Sequence, residues 1–460
     1  MNTSQVRRRS LRAVAAIATL ALVGAACEGG REDEKDTTKT TTGGSTATTV
    51  PGAPTPIIDT SACPAEATAA FEGDTIKFGV SLPQSGLYSA FNDILVGAQA
   101  HVDYVNEELG GVEVAGEQYQ IELVAKDDAY EAQKTVNNVN ELVADEGVFG
   151  LFSVVGTKNN LAIRETLGEQ CVPDLFAATG AAAWGNADYP WLLGTPLVPY
   201  PAEMKALVDY LQDEQPNATV AILRASDDFG KTYSEVFASL IEGTDITIVD
   251  EETYNPEQFD TKSQITSLAA SDADVLILGA TLLACPDALT NVKDSGWEPL
   301  VYMSGTCTSK TIISLSGDAA DGVLSVASFM DPADPQWESN EQMALFKEKV
   351  AAYAPDADLD SGVIAFGWSA GAMLTETLTR SPELTRASVM ETARNLTGLE
   401  DIGLMVPGAV FNVGADDWFL GETFNLMRYS LANGYFEVLQ GPIELDGQTA
   451  TLTPDDLVNS

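Results

Sequence analysis

From residue 74 onward, short apolar runs alternate with amphipathic stretches of helical length. "TIKFGVSLP" precedes "ILVGAQAHVDYVNEEL", "YQIELVAKDD" precedes "EAQKTVNNVNELVADE", "VFGLFSVVG" precedes "KNNLAIRETLGEQ", and "VPDLFAATG" closes the set. After "PLVPYPAEMKALVDYLQDEQ" the rhythm restarts with "ATVAILRAS" and runs through "DITIVDEETY", "ADVLILGAT", "CPDALTNVKDSG" and "PLVYMSG". A short apolar run bounded by turn residues is a buried strand. Its alternation with helical patterns is the βα unit of a parallel sheet covered on both faces. The pattern predicts an α/β fold of two consecutive βα domains.

In doubly wound sheets ligands sit beyond the carboxyl ends of the strands, where loops enter helices. Six segments rich in small residues fall there: "SLPQSGLYSAF", "SVVGTKNN", "AATGAAAW", "RASDDFG", "GATLLAC" and "SGTCTS". Any one of them could serve close helix-to-sheet packing alone. Six together, from both domains, point to a shared cleft. In "LFAATGAAAW", residues 175–184, almost every side chain shrinks to a methyl, a hydroxyl or nothing before Trp184. Such a loop offers bare backbone N–H and C=O groups, and a helix start such as Lys158 onward adds a positive dipole end.

Charge and chain ends narrow the partners. The 460 residues carry 24 basic against 68 acidic side chains, a formal net charge of −44. That field repels nucleic acid and anionic membrane. Residues 1–26, with Arg7, Arg8, Arg9 and Arg12 ahead of an apolar stretch, form an export signal peptide. "VGAAC" resembles a bacterial lipobox, although Gly24 stands where Leu is usual, and so predicts Cys27 as a diacylated mature N-terminus. "RRRSLR" partly resembles a twin-arginine signal, which leaves the export route open. Residues 27–71 are then the anchor and a tether rich in Thr, Gly and Pro, of which about thirty flexible residues span on the order of 30 Å.

Four further cysteines, Cys63, Cys171, Cys285 and Cys307, are an even number in an exported chain. With one histidine and no CxxC or HxxxH spacing, zinc is a poor use for them. Cys285 and Cys307 each follow a strand-like run, and successive parallel strands place such ends side by side. Pairing these two leaves Cys63 for Cys171.

Candidate catalytic groups are few. "GWSAG", Gly367 to Gly371, fits the GxSxG nucleophile elbow with Ser369 as nucleophile. That fold needs its histidine after the serine, whereas His101 precedes it. "VIAFGWSAGAMLTETL" reads better as a small-faced helix packed tightly on a neighbour. The adjacent acids of "KDDAY" and "SDDFG" belong to turns or caps, since sequence neighbours on a strand point apart. No GxGxxG, P-loop or metal cluster occurs, so neither enzyme activity, cofactor nor metal is expected.

The ordered set "GVSLPQSGLYSAF", "NEELGGVEVAGEQYQIELVAKDDAY", "VVGTKNNLA", "VPDLFAATGAAAW" and "ASDDFG" resembles the type I periplasmic binding proteins that feed branched-chain amino acid ABC importers, the leucine/isoleucine/valine-binding group. The resemblance covers roughly residues 74–440. It implies two doubly wound parallel-sheet lobes joined by three crossover strands and closing on ligand as a trap. Lobe 1 would take residues 72–198 and 331–405, lobe 2 residues 199–330 and 406–445, with 446–460 as a C-terminal tail. The family's ligand carboxylate is held at positions matching Gly156, Thr157, Ala178, Thr179 and Gly180. Aromatics matching Phe91 and Phe229 would pack on the apolar part, and lobe 2 would close with loops around Thr281 and Thr306. Amino acid binders of the family commonly carry an acid near the position of Thr306, where "SGTCTS" offers hydroxyls instead. The solute is therefore open among an amino acid, an amide and a small carboxylate. The implied protein is a monomeric, lipid-anchored, extracytoplasmic receptor delivering a solute to an importer permease. A ligand-sensing module of the same fold and a hydrolase using Ser369 are the alternatives.

Overall fold

A computed structural model describes residues 56–459; the signal peptide, Cys27 and most of the tether lie outside them. In chain order, β1 (Thr75–Leu82) leads through α1 (Asn92–Glu108) to β2 (Val112–Val114) and β3 (Glu117–Asp127). Next come α2 (Ala132–Ala144), β4 (Gly150–Phe152), α3 (Thr157–Gln170), β5 (Asp174–Ala177) and β6 (Leu192–Gly194). The second series is α4 (Tyr200–Glu214), β7 (Thr219–Ala225), α5 (Asp228–Leu240), β8 (Thr247–Tyr254), α6 (Lys262–Ala269), β9 (Val275–Gly279), α7 (Ala284–Ser295), β10 (Leu300–Met303), α8 (Lys310–Ile313) and β11 (Leu324–Ala327). Three helices follow, α9 (Glu341–Tyr353), α10 (Gly362–Arg380) and α11 (Arg386–Ala393), and then β12 (Thr423–Ser430) and β13 (Tyr435–Glu444).

The strands form two sheets, ordered β2-β3-β1-β4-β5-β6 and β13-β12-β11-β10-β9-β7-β8. Each is wound outward in both directions, from β1 in the first and β7 in the second. The central strand β9, "VLILG", is buried at every position, whereas the edge strand β8 alternates exposed and half-buried residues. Both sheets are mixed rather than purely parallel. β2 pairs antiparallel with β3 through a short turn, and β12 and β13 add an antiparallel hairpin beside β11. β2–β3 and β12–β13 are each joined by a short turn, which delivers the second strand antiparallel, and all four strands sit at or near a sheet edge.

The late helices return to the first sheet. α10 lies against α1 so closely that a Cβ on Gly97 would stand 2.0 Å from the Ile364 carbonyl, and one on Gly367 equally close to that of Ile94. This is the tightly packed small face expected of "VIAFGWSAG". Ser369 is fully buried within it, its Oγ donating to the Ala365 carbonyl (2.8 Å) and accepting from the Leu404 amide (3.0 Å). The hydroxyl is consumed by the helix and the packing, and the elbow reading falls. His101 is buried beside it, its Nε2 3.2 Å from the Thr375 hydroxyl and its ring on the edge of Trp368; burial pushes the imidazole down to about 3, so it is neutral.

The chain crosses between the sheets three times, and the crossovers lean on one another. Ser328 Oγ donates to the Pro196 carbonyl (3.1 Å), Met330 N to Leu404 O (2.8 Å), and Val406 N to Ser328 O (3.1 Å). The cysteines pair as Cys63–Cys171 and Cys285–Cys307. The first links the segment ahead of β1 to the end of α3, and the second links the starts of the segments after β9 and β10.

Candidate functional site

The carboxyl ends of β1, β4 and β5 face those of β7, β9 and β10 across a cleft of about 150 Å³. Both flanks are the switch points of their sheets, where neighbouring strands lead away in opposite directions and leave a crevice. Phe91, Gly156, Thr157, Ala178 and Thr179 line it from one side, and Phe229, Thr281 and Thr306 from the other. Eight of the nine ligand positions expected from sequence are thus brought together.

Gly180 is the exception. A Cβ there would meet the Val198 carbonyl at 2.8 Å and the Tyr200 ring at 2.9 Å, and its own carbonyl accepts from the Tyr200 amide (2.8 Å). It lets the first crossover touch the loop after β5. The other small residues of that loop serve packing too: Ala181, Ala183 and Trp184 form a small buried cluster with Phe419, and Trp184 Nε1 donates to the Thr179 carbonyl (2.7 Å). "AATGAAAW" therefore does both jobs, packing from Gly180 onward and lining the cleft at Ala178 and Thr179.

The polar end of the cleft lies in the first sheet. Thr157 Oγ1 and Thr179 Oγ1 are 2.6 Å apart, and the Tyr200 hydroxyl is 3.3 Å from the latter. Gly156, at φ 102°, precedes α3, whose first amides at Thr157, Lys158 and Asn159 have no intrahelical acceptor. A Cβ on Gly156 would run into the Tyr130 ring at 2.5 Å, so only glycine fits at this φ beside this ring. Across the cleft, the buried Thr281 Oγ1 has no hydrogen-bond partner among the described residues. A buried hydroxyl left unpaired is costly, so its partner is to be sought in a bound molecule or water.

Aromatic rings make part of the remaining wall. Tyr130, Tyr200 and Phe229 line it, with Tyr200 edge-on to Phe229 at 5.2 Å. Over the mouth, Tyr88 stacks on Tyr130 at 3.9 Å and meets Phe259 of the opposite side at 5.0 Å. The acids singled out from sequence are structural. Asp127 takes the amides of Gln84 and Ala129, Asp128 takes that of Tyr130 with the hydroxyls of Ser81 and Thr135, and Asp227 caps α5 through the Gly230 amide.

Among the lining residues missed from sequence are Tyr130, Tyr200 and Glu203. Tyr130 ends "KDDAY", directly after β3, so strand-end logic reaches it. Tyr200 and Glu203 open α4 in "VPYPAE", and nothing in an amphipathic helix start marks a residue as facing a cleft.

A family described as periplasmic binding protein matches residues 75–430. A curated relative, the Leu/Ile/Val-binding protein homolog 3 of Brucella melitensis, is 25% identical over 259 residues, spanning 54% of this chain and 66% of its own length, slightly under two thirds. Among the solved structures that share the fold are two of ABC transporter proteins. A branched-chain amino acid ABC transporter protein from Thermus thermophilus with bound valine has a TM-score of 0.71 at 17% identity, over 80% of this chain and 96% of its own. A fatty acid ABC transporter substrate-binding protein from Thermomonospora curvata has 0.71 at 18%, over 84% and 96%.

Proposed function

The chain belongs to the periplasmic binding protein family, extracytoplasmic solute-binding proteins rather than enzymes, and on that premise we propose that it is the solute receptor of an ABC importer, taking a compact carboxylate with an apolar body. The observation that carries this reading is the polar end of the cleft. Two threonine hydroxyls 2.6 Å apart and the open amides of α3 form a donor set for one anionic group. An anion held by backbone dipoles needs no buried cation, so a protein of net charge −44 can bind one. Much of the rest of the wall is apolar, with Glu203, Asp331 and several hydroxyls among it, and about 150 Å³ is the volume that accommodates a molecule of roughly benzene size. That favours a branched or aromatic body over a long chain. Ligands named for the relatives, branched-chain amino acids and fatty acids, both join a carboxylate to an apolar body, and the volume favours the former shape.

The lipid anchor at Cys27 belongs to the same reading. Among the described residues no helix is long and apolar enough to cross a membrane, and a diacylated cysteine on a tether would hold the receptor near its permease. Cys27→Ser should release the protein from the membrane fraction; unchanged retention would contradict the anchor.

A thermal-shift screen of residues 56–460 against amino acids, carboxylates and amides tests the reading. A ligand of the folded state at 100 times its dissociation constant adds about 2.7 kcal/mol of stability. Carboxylates that raise the melting temperature in wild type but not in Thr179→Val support it. Binding confined to solutes without a carboxylate would overturn it.

A further inference from the structure

Three carboxylates meet outside the cleft lining. Asp417 closes a turn after the third crossover, its carbonyl accepting from the Gly414 amide (2.8 Å); Glu422 directly precedes β12, and Asp446 follows β13. One oxygen of each lies within 4.8 Å of those of the other two. Spacing along the chain gives no sign of this group, because the β12–β13 hairpin is what returns residue 446 to the start of β12, where the Leu445 amide donates to the Glu422 carbonyl (2.9 Å).

The group is short of positive charge. Glu422 is 1% exposed and accepts from the backbone amides of Gly447 (2.7 Å) and Thr449 (2.9 Å). Asp446 takes the side-chain amide of Asn412 (3.1 Å), and Asp417 the amide of Phe419 (3.2 Å). All of these donors are neutral. Arg394 is the cation that Asp417 feels, yet its guanidinium stacks on Trp418 and donates to the Leu192 carbonyl (3.2 Å), with Nε and Nη2 bonded to nothing among the described residues. Burial, and then the charge of Asp446, pushes Asp417 up to about 6; burial, with the charge of Asp417, pushes Glu422 up to about 7.

A separate observation points to an ion. Thr449 has no exposed surface, and its hydroxyl faces the Glu422 carboxylate without completing a hydrogen bond there or elsewhere among the described residues. A buried hydroxyl left out in this way is costly, and a cation among the carboxylates would take its lone pair. Every donor is a hard oxygen, with no histidine or cysteine in the group, which suits calcium or magnesium rather than zinc. Calcium holds its ligands at about 2.3–2.6 Å, so that oxygens stand up to roughly 5 Å apart across the ion, whereas magnesium needs about 2.0–2.1 Å.

We propose that Asp417, Glu422 and Asp446, with the Thr449 hydroxyl, bind a calcium ion that pins the C-terminal tail to the segment leading into β12. The tail carries α12 (Thr449–Leu452), packed on α4, and α13 (Asp455–Val458), packed on the turn Ala182–Gly185 after β5. It thus runs from the helix ahead of the second sheet to a loop of the first. Beside it the segment into β12 touches the first crossover, where a Cβ on Gly421 would stand 2.2 Å from the Leu197 carbonyl. An ion here fixes the tail next to the crossovers on which the two sheets turn, whatever solute the cleft takes.

The test uses residues 56–460 freed of metal with EDTA, and calcium, magnesium and terbium chlorides as probes. Calorimetry should show one calcium per chain with a dissociation constant of about 10⁻⁴–10⁻³ M, as in extracellular modules, and magnesium at least about tenfold weaker. Terbium should emit on tryptophan excitation, since Trp418 adjoins Asp417, and calcium should displace it. Amide exchange over residues 445–453 should slow with calcium by at least about tenfold, the protection expected at about ten times the dissociation constant. Asp446→Asn, on an exposed side chain that the fold tolerates, should weaken calcium by at least about tenfold and abolish the slowing, with the calcium-free melting temperature unchanged or higher. Asp417→Asn should weaken calcium in the same way. No saturable calcium binding by about 10 mM, binding that survives both substitutions, or exchange that calcium leaves unchanged would overturn the proposal.

Discussion

The hydroxyl of Tyr88 donates to the Pro256 carbonyl at 3.0 Å, joining the loop after β1 to the loop after β8 across the cleft mouth. Its ring lies between Tyr130 on the same side and Phe259 on the other. If the two sheets open and close around a solute, as the proposed function requires, this contact belongs to the closed form. A solute can shift that equilibrium only by the extra contacts it makes in the closed form.

Tyr88→Phe should therefore weaken solute binding with little change in melting temperature. A net hydrogen bond is worth about 0.5–1.5 kcal/mol, which corresponds to roughly 2- to 12-fold, and the change should appear mainly as faster release. Stopped-flow fluorescence checks this. An unchanged release rate would show that the mouth contact does not hold the closed form.

Thr157→Val and Thr179→Val keep the shape of the cleft wall and remove a hydroxyl each. Hydrogen bonds to a charged group are worth about 1.5–3 kcal/mol, so each change should cost at least about tenfold in affinity for a carboxylate. Calorimetry on both variants is the check. Full affinity in either would remove that hydroxyl from the anion site.

Gly180→Val should destabilise the protein. The added atoms meet the Val198 carbonyl and the Tyr200 ring, and overpacking costs typically about 1–3 kcal/mol. Denaturant unfolding of the solute-free variant measures it. An unchanged midpoint would mean that the crossover yields without cost.

Asp174 is fully buried, neither carboxylate oxygen has a partner among the described residues, and desolvation pushes it up to about 7. Its folded value lies above its unfolded one, so its contribution is complete below about pH 4 and is lost as pH rises towards 7. Asp174→Asn should gain stability over wild type between pH 5 and pH 8, with little difference at pH 4. His101 acts in the opposite sense, neutral in the fold and costing stability as pH falls below 6.5, but it is common to both proteins and cancels in the comparison. A difference independent of pH would contradict the burial argument.

Much of this architecture was legible because strand-end loops announce themselves. Apolar runs such as "VLILG" and helices such as α2 carry their period in the chain, and the small residues after each run mark the side on which a ligand can approach. The Cys285–Cys307 disulfide followed from the same logic, and Cys63–Cys171 was the pair left over. What the chain hid was long-range. Glu203 reaches the cleft from the first turn of α4 and meets there the amide of Gly305, about a hundred residues later. Gly180 looked like ligand-facing backbone because sequence cannot say that Tyr200 lies over it. Composition also gave no sign that β12 and β13 run antiparallel beside β11, since a strand's direction depends on the connection that delivers it.

The central claim is that a solute carboxylate lies between Thr157, Thr179 and the start of α3, with lobe 2 closed over its apolar part. A crystal structure of residues 56–460 with the tightest-binding carboxylate from the screen tests this most directly. The account requires the carboxylate oxygens within hydrogen-bonding distance of both threonine hydroxyls and an amide of Thr157 to Asn159, with Phe91 and Phe229 against the body. A solute bound outside the cleft, or lying in it with its carboxylate turned to Thr281 and Thr306, would contradict it.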